Sequence, residues 1–426
     1  MDLELIAAAN RDDAEAHRRD FSHLAEQLNR VGIDIGAVVS QVAAFEVAVP
    51  SWALGTGGTR FGRFPGRGEP RDIYEKLDDI AVIHQLTGAT PRVSLHIPWD
   101  EPDDPDALKV HANALGLGFD AVNSNTFQDQ PGQEHSYKFG SLGHTDPAVQ
   151  EQAIAHNLHA IRIGETLGSK AITIWLADGS NFPGQMHLRK SFERALDGLQ
   201  QICFALPDGW NLFTEHKPFE PAFYATVVQD WGSSLMLALQ LGDKAACLVD
   251  LGHHLPNANV ELIVARLISA GKLGGFHFND AKYGDDDLTA GSIKPYQLFL
   301  IFNELVDAAL ANVLAKKPSY MIDQSHNLKD PIEALLQTVD HLQRAYARAL
   351  LVRREALTGY QESNDVLMAE QTLRTAFEID VAPIVEEARL AKDGAMNPLR
   401  TFRASGYRDA RAEERVGAAY VPPQSL

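Results

Sequence analysis

The sequence predicts an α/β fold, a (β/α)8 TIM barrel with an N-terminal helical segment and a C-terminal helical extension. Eight short apolar runs carry strand-forming residues, and segments with apolar residues at helical spacing lie between them. Strands that alternate with helices form parallel sheets, and eight such units match a barrel. A doubly wound open sheet is the alternative, and it is disfavoured because no strand is followed by a glycine-rich dinucleotide fingerprint.

The elements follow one another in a simple order along the chain. The strand candidates are FEVAVPSWAL, RVSLHIPW, FDAVNSNT, KAITIWLADG, WNLFTEHK, ACLVDLGHH, GGFHFND and SYMIDQSH. We place a helical segment at residues 1–44, the catalytic barrel at 45–350, and a helical extension for oligomerisation at 351–426. The last stretch, GYRDARAEERVGAAYVPPQSL, is expected to be irregular.

The composition narrows the partners of the protein. Its 426 residues include 57 Asp and Glu against 38 Lys and Arg, a formal net charge of −19. This charge repels nucleic acid and anionic lipid, so we expect neither as a partner. The absence of a long apolar run, of a signal-peptide pattern and of a cysteine framework predicts a cytoplasmic protein.

Four consecutive strands each place a potential metal ligand at the same end of the barrel. Side chains alternate between the two faces of a strand, and barrel active sites lie at the carboxyl ends of the strands. One such side chain alone is usually a satisfied core residue, whereas four on neighbouring strands favour a metal site. Three carboxylates and an imidazole suit Mn²⁺, Mg²⁺ or Co²⁺. The four residues are Glu215, Asp250, His277 and Asp323.

A second set of donors follows two of these strands. His253 comes three residues after Asp250, and Asp285 and Asp287 share one parity within the stretch GGFHFNDAKYGDDD. With Asp250 as a bridge, they predict a second divalent ion near the first, a recurring catalytic device. The ion would also compensate the adjacent carboxylates. Asp286, of opposite parity, is expected to be solvated or to lie behind the ligands, and a solvated acidic loop is the alternative for the whole stretch.

Other side chains at the mouth of the barrel suggest a site for a sugar-sized polyol with one apolar face. Lys217 shares the inward face of its strand with Glu215, where it could bind a hydroxyl group or form a salt bridge to Glu215 or Asp250. Aromatic residues near the strand ends would supply the apolar wall, although each alone more often belongs to the core. The inward histidine and the aromatic residues are His96, Trp52, Phe127 and Trp175.

Seven motifs resemble those of the L-rhamnose isomerases, particularly the Pseudomonas type with relaxed sugar preference. The resemblance covers nearly the whole chain and is weakest at its two ends. It implies a metal-dependent aldose–ketose isomerase that forms a homotetramer on a barrel like that of xylose isomerase. The motifs are VPSWALGTGGTRFGRFPG, VSLHIPWD, DGSNFPGQ, FTEHK, VDLGHH, GGFHFNDAKYGDDD and MIDQSHN.

The resemblance also implies roles for individual residues and two divalent ions per subunit, Mn²⁺ first, with Co²⁺ or Mg²⁺ as alternatives. The structural ion would be held by Glu215, Asp250, His277 and Asp323, and the catalytic ion by His253, Asp285 and Asp287. Phe61 would reach the site of a neighbouring subunit, or simply pack within its loop. We assign catalytic roles to Asp323, Lys217, His96 and Ser325, and substrate contacts to Trp52, Phe61, Phe127, Trp175, Lys217 and His96.

The activity implied by the resemblance is the interconversion of L-rhamnose and L-rhamnulose, together with other pairs such as D-allose and D-psicose. Hydrogen would move between C2 and C1 as a metal-assisted hydride, or through a cis-enediol with a carboxylate or His96 as base. The residues leave this choice open. Rival functions are a metal-dependent barrel hydrolase such as a phosphoesterase, a keto-sugar 3-epimerase and a non-catalytic binding protein. The epimerase is disfavoured because Glu215 lacks an evident glutamate partner.

Overall fold

Parallel strands form a ring of eight positions, as predicted for a TIM barrel. The computed structural model describes residues 1, 3–54, 66–325 and 328–415. All eight candidate runs contain strand residues. The strands are β1 Val49–Pro50, β2 Arg92–Ser94, β3 His96–Ile97, β4 Gly118–Phe119, β5 Val122–Ser124, β6 Ala171–Trp175, β7 Gly179–Ser180, β8 Asn211–Glu215, β9 Ala225–Thr226, β10 Ala245–Asp250, β11 Leu273–Phe278 and β12 Ser319–Ile322.

The ring closes between its first and last strands. Strand β1 pairs in parallel with β2, while the chain of pairs from β3 through β5, β6, β8, β10 and β11 ends at β12. Just before β1, the Ala48 N–H donates to the carbonyl of Tyr320 at 2.8 Å, and the Ile322 N–H donates to the carbonyl of Ala48 at 3.0 Å. These bonds join the last strand to the first, so each of the eight ring positions has a bonded neighbour on both sides.

The second and third ring positions are each broken into two short strands. Val93 pairs with Phe119, but three residues later His96 pairs with Asn123, so the third position carries one extra residue. An extra residue on one side of a ladder is a bulge, which bends the strand and changes the direction of the side chains beyond it. His96, on the neighbouring strand, lies in the first pair beyond this bulge, opposite Asn123 and at the mouth of the barrel.

Helices surround the ring and extend beyond it at both termini. Several begin at an Asp-Pro pair, as at Asp104, Asp146 and Asp330, where the carboxylate accepts backbone N–H groups of the first turn. None of the described helices is long and apolar enough to cross a membrane. The helices are α1 Leu3–Asn29, α2 Ile35–Ala43, α3 Ile73–Thr87, α4 Pro105–Ala114, α5 Pro147–Leu167, α6 Leu188–Phe204, α7 Trp231–Leu241, α8 Val260–Ser269, α9 Pro295–Leu310, α10 Pro331–Leu350, α11 Arg354–Glu362, α12 Val366–Glu378, α13 Ala382–Leu390, α14 Pro398–Ala404 and α15 Tyr407–Glu414.

The main apolar core lies between the ring and the helices. On β11, the rings of Phe276 and Phe278 point outward and stack 5.3 Å apart, and Phe278 stacks on Phe302 of α9 at 5.5 Å. This outward packing holds the residue between them, His277, toward the barrel axis. Strand alternation therefore delivers a buried imidazole to the interior, as the sequence predicts.

The terminal helices pack against their own chain. Leu24 and Leu28 of α1, Val42 of α2 and Val385 of α13 share one buried apolar cluster. The extension therefore covers the helical segment that precedes the barrel. Its role in oligomerisation and the domain boundaries remain predictions.

The expectation of an irregular chain end is wrong for residues 407–414, which form helix α15. The guanidinium group of Arg415 donates to Asp79 of α3, with Nη2 2.9 Å from Oδ1, and Asp79 is fully buried. Tyr407 also donates to this carboxylate, at 2.7 Å. The buried Asp79 carboxylate therefore binds one residue from each end of α15 and anchors the helix. Local sequence periodicity cannot predict a contact between residues so far apart in the chain.

Candidate metal centre at the mouth of the barrel

The four donors predicted on consecutive strands lie at the carboxyl ends of those strands. Glu215 and Asp250 are the last residues of β8 and β10, His277 is the penultimate residue of β11, and Asp323 follows β12. The side chain of Asp323 is 18% exposed and the other three are almost completely buried. Because neighbouring parallel strands end at one rim, these side chains meet at the mouth.

The imidazole of His277 lies at the centre of this first donor group. Its Nδ1 atom is 3.2 Å from Glu215 Oε1, 3.4 Å from Asp323 Oδ2 and 3.7 Å from Asp250 Oδ2. One ligand atom from each of the four residues lies within 4.8 Å of the others. The structure therefore brings the predicted set of four together.

A second donor group shares Asp250 with the first. His253 Nε2 is 3.3 Å from Asp285 Oδ2 and 4.0 Å from Asp250 Oδ2, and these three residues offer ligand atoms within 4.8 Å of one another. Asp287 does not join this compact group in the described structure. Its Oδ2 atom instead accepts a hydrogen bond from Ser325 Oγ at 3.4 Å. A role for Asp287 as a ligand remains a prediction.

The three consecutive aspartates differ as parity predicts. Asp285 and Asp287 are buried, whereas Asp286 is only partly so. The Asp286 Oδ2 atom accepts the backbone N–H groups of Lys282 and Tyr283 at 2.6 and 3.0 Å, which closes the loop on itself. Asp286 thus shapes the loop while its two neighbours turn toward the barrel.

Opposing charges dominate the titration of this cluster. Burial disfavours the charged form of His277, but Glu215 and Asp323 outweigh it and raise the pKa of the imidazole to about 10. Burial, with the nearby carboxylates of Asp323 and Asp285, raises the pKa of Asp250 to about 7. Carboxylates this close require compensating positive charge, from protons or from a cation.

The residues present fit a divalent cation. Asp250 Oδ2 is buried, faces both imidazoles, and accepts no hydrogen bond from any residue that the structure describes. A Cβ atom on residue 252 would lie 3.0 Å from Asp285 Oδ1 and 3.3 Å from Asp250 Oδ1. Because Gly252 has no side chain, both carboxylate oxygens can approach the backbone at this position. Oxygen and imidazole donors without a thiolate match Mn²⁺, Mg²⁺ or Co²⁺.

Lys217 faces the second donor group, and its partner differs from the two that the sequence suggests. Its Nζ atom lies 2.5 Å from Asp285 Oδ2, 3.5 Å from Glu220 Oε2 and 4.5 Å from the centre of the Trp175 ring. The side chain is 2% exposed. The ammonium group therefore lies between the carboxylates and the aromatic side of the mouth.

The aromatic residues form a continuous wall beside the carboxylates. The ring of His96 stacks on that of Trp99, with 3.9 Å between the ring centres, and meets the rings of Trp52 and Phe127 edge-on at 5.5 and 5.6 Å. The ring centres of Phe127 and Trp175 are 4.5 Å apart. Burial lowers the pKa of His96 to about 3, so its imidazole is neutral. The wall presents an apolar surface that includes one polar ring.

One hydrogen bond joins the wall to the donor cluster. Trp52 Nε1 donates to Asp323 Oδ1 at 2.9 Å. Two further residues of the site were not singled out in the sequence. They are Trp99, three residues past His96, and Asn279, two residues past His277 on the same face of the strand. Their proximity to strand ends is the signal that could have found them. Phe61 lies outside the described residues.

A short antiparallel ribbon, absent from the sequence prediction, rises beside the mouth. Strands β7 and β9 pair between the loops that follow β6 and β8. Phe182, Phe223 and Tyr224 on or beside this ribbon are 72%, 72% and 49% exposed. Large aromatic residues clustered on a surface are typical of an interaction face.

The fold and site together define an α/β barrel protein with a candidate divalent-metal centre at its mouth. No family model matches the chain. It is 61% identical to "Probable sugar isomerase R00627" of Rhizobium meliloti (strain 1021), with 98% of this chain and 97% of that protein aligned. It is 60% identical to "Probable sugar isomerase mlr5709" of Mesorhizobium japonicum, with 97% of this chain and 95% of that protein aligned. The chain belongs to this family of sugar isomerases.

A solved structure supports the fold. The barrel resembles that of L-ribulose 3-epimerase, with a TM-score of 0.52 over 72% of this chain and 98% of that chain. Sequence identity is 16%, so the likeness shows a shared fold. The predicted TIM barrel is confirmed.

Proposed function

We propose that this protein is a metal-dependent aldose–ketose isomerase that interconverts L-rhamnose and L-rhamnulose. Related pairs such as D-allose and D-psicose would be further substrates. The observation that carries the proposal is the pair of donor groups that share Asp250, with Lys217 and an aromatic wall beside them. Membership of a sugar isomerase family supports the reaction class.

Two divalent ions per subunit, Mn²⁺ first among the candidates, would occupy the donor groups. Glu215, Asp250, His277 and Asp323 would hold one ion, and Asp250, His253 and Asp285, with Asp287, the other. Bound there, the ions supply Lewis acidity toward the oxygens of an open-chain sugar. Isomerisation then moves one hydrogen from C2 to C1 and one proton from O2 to O1, with no external oxidant or reductant.

The residues of the chain supply binding and orientation. Lys217 Nζ can donate to a sugar hydroxyl group beside Asp285 and support negative charge that develops on oxygen. The neutral His96 ring can exchange a hydrogen bond with the sugar, since its Nδ1 atom has no partner within the described ranges. Ser325 Oγ donates a hydrogen bond to Asp287 Oδ2, and we assign its hydroxyl group a contact with the same substrate.

The aromatic wall favours a sugar with an apolar end. Trp52, Trp99 and Phe127 surround His96 with ring contacts. A 6-deoxy methyl group loses no hydrogen bond when it packs against such a surface, whereas a hydroxymethyl group must find one. This difference supports L-rhamnose as the preferred substrate.

The test is ketose formation from a panel of aldoses, measured after chelation with EDTA and again with Mn²⁺ restored. We expect L-rhamnose to be converted fastest, activity to vanish on chelation, and Mn²⁺ to restore it. Full activity in a rigorously metal-free sample would overturn the proposed metal dependence. Reaction in D₂O separates the two routes: a direct hydride shift leaves C1 without deuterium, whereas a cis-enediol introduces it.

A keto-sugar 3-epimerase is the second candidate, favoured by the fold shared with L-ribulose 3-epimerase. The described donor groups contain a single glutamate, Glu215, so the paired glutamates expected to act as acid and base at C3 are missing from them. Incubation with a ketose alone discriminates the two: an epimerase yields another ketose, an isomerase an aldose. Release of phosphate from a sugar phosphate would instead indicate the hydrolase.

We also propose a cytoplasmic homotetramer. Both cysteines, Cys203 and Cys247, are buried and unpaired, which fits a reducing compartment. The exposed aromatic residues next to the ribbon strands suit contact with another subunit. Light scattering coupled to size-exclusion chromatography would measure the mass, and a monomer at micromolar concentration would contradict the assembly.

A further inference from the structure

The Asp250 carboxylate, shared by both donor groups, is held through one oxygen. Its Oδ1 atom accepts the backbone N–H of Gly252 at 2.7 Å and the Asn279 side-chain amide Nδ2 at 2.9 Å. Two good hydrogen bonds to a single oxygen fix the plane of a carboxylate, because rotation about its bond to Cβ breaks both together. Asp250 is fully buried, so water cannot easily replace either donor.

The other oxygen of Asp250 faces the two imidazoles. Oδ2 lies 3.7 Å from His277 Nδ1 and 4.0 Å from His253 Nε2, beyond hydrogen-bond distance, and no described residue donates to it. His277 belongs to the first donor group and His253 to the second. A single oxygen is therefore aimed at the space that the two groups share.

Asn279 reaches Asp250 because of its place on the barrel. It follows β11 directly, and since Phe278 points outward to α9, the next residue points inward above His277. Asn279 is 1% exposed, and its Oδ1 atom has no hydrogen-bond partner in the part of the chain described. Gly252 makes room for it, because a Cβ atom there would lie 3.1 Å from that oxygen.

We propose that Asn279 is a positioning residue that orients Asp250 so that Oδ2 alone is presented to both ion positions. This inference rests on the proposed metal-dependent function. Asn279 acts through Asp250, to which its amide nitrogen donates a hydrogen bond. Loss of a partner behind a metal ligand typically weakens metal affinity by about 10- to 100-fold.

Two substitutions separate positioning from simple electrostatics. Asn279→Ala removes the donor, so Asp250 can rotate and Mn²⁺ affinity should fall by about 10- to 100-fold. Asn279→Asp keeps the shape but adds a negative charge. If charge alone determined affinity, this variant would bind Mn²⁺ more tightly; if the amide positions Asp250, it will bind more weakly, because two carboxylates repel each other.

The measurement is the dissociation constant and stoichiometry of Mn²⁺ by titration calorimetry at pH 8. Asn157→Ala is the matched control: Asn157 is as buried as Asn279 and is hydrogen-bonded to Ser124 and Ala153, but it lies on α5 and belongs to neither donor group. We expect its Mn²⁺ affinity to stay within about two-fold of the unmodified protein, since it touches no ligand. The thermal shift on adding Mn²⁺, measured from the metal-free Tm of each variant, should shrink for both Asn279 variants and stay unchanged for Asn157→Ala.

The outcomes distinguish this inference from the proposed function. Unchanged Mn²⁺ binding in Asn279→Ala, or tighter binding in Asn279→Asp, would overturn the positioning role while leaving the metal centre intact. Lower metal-free Tm with unchanged Mn²⁺ affinity would assign Asn279 a purely structural role and overturn it as well. If the unmodified protein binds no Mn²⁺, the proposed metal centre itself fails.

Discussion

The two halves of the barrel mouth place a buried histidine in opposite surroundings. His277, on the half built by β8, β10, β11 and β12, lies among carboxylates that raise its pKa to about 10. His96, on the half built by the earlier strands, lies among aromatic rings, and burial lowers its pKa to about 3. Both rings are shielded from water, so their neighbours determine the sign of the shift.

This contrast teaches how one site can serve two needs. The carboxylate half concentrates charge and suits cations, whereas the aromatic half keeps its imidazole neutral and presents an apolar surface. A sugar has both kinds of surface, with hydroxyl groups on one side and C–H groups on another. Trp52 and Lys217 join the halves, since each touches a carboxylate from the aromatic side.

The largest expected effect comes from Asp250→Asn, which removes the charge shared by both donor groups. Metal binding should fall by at least about 100-fold at both positions, and turnover with it. Metal-free stability should not fall, because the substitution relieves repulsion from Asp323 and Asp285. Calorimetric titration with Mn²⁺ and thermal unfolding check the two parts. Retention of one site at full affinity would show that Asp250 is not shared.

A smaller effect distinguishes the neighbouring aspartates of the acidic loop. Asp285→Asn should weaken binding of one ion by about 10-fold or more, because Asp285 lies in the second donor group. Asp286→Asn should change this affinity by less than about two-fold, since the Asp286 carboxylate accepts hydrogen bonds from the loop backbone and is in neither donor group of the described residues. Equal mild effects at both positions would support a solvated acidic loop instead.

The carboxylate half should also make metal-free stability depend on pH. The folded pKa of His277, about 10, lies above its unfolded value of about 6.5. The folded state therefore binds more protons between these values, and its stability falls as pH rises through that window. The folded pKa of Asp250 is raised to about 7, so this group also lowers the stability of the folded state as pH rises from about 4 to 7.

Thermal unfolding of metal-free protein from pH 6 to 10 would measure this decline, which Mn²⁺ should reduce because the ion replaces the protons. His277→Gln is the comparison variant, since it should flatten the upper part of the curve. Stability that rises with pH in metal-free protein would contradict the charge balance of this half.

A moderate effect is expected where the halves meet. Trp52→Phe keeps an aromatic ring but loses the hydrogen bond from Nε1 to Asp323. A hydrogen bond to a charged group is worth about 1.5–3 kcal/mol, so Mn²⁺ affinity should fall by roughly 10- to 100-fold. An effect on the KM for sugar with unchanged Mn²⁺ binding would place Trp52 wholly in the aromatic half.

The smallest effect belongs to the aromatic wall alone. Phe127→Leu removes ring contacts with His96 and Trp175 but alters no residue of the two donor groups. We expect the KM for L-rhamnose to rise by about 3- to 10-fold, a loss of about 1 kcal/mol of packing, with Mn²⁺ affinity unchanged. Steady-state kinetics and metal titration of the same preparation check both. A loss of metal binding would mean that the two halves are not separable.

The sequence alone determined the barrel and the inward face of its strands. Alternation with a period of two is a local property, so Phe276 and Phe278 predict the direction of His277 without knowledge of any neighbour. The same rule predicts the inward positions of Glu215, Asp250 and Asp323, and the buried Asp285 and Asp287 on either side of Asp286. Aromatic residues at strand ends likewise predict a wall at the mouth.

Only the tertiary structure decided which of these side chains meet. The distances depend on strand stagger, bulges and loop paths, which bring together residues far apart in the chain. They place Lys217 on Asp285, leave Asp287 with Ser325, and set Asn279 behind Asp250. The helix at residues 407–414 likewise depends on a distant carboxylate, Asp79, because a buried charge pair is a property of the folded chain.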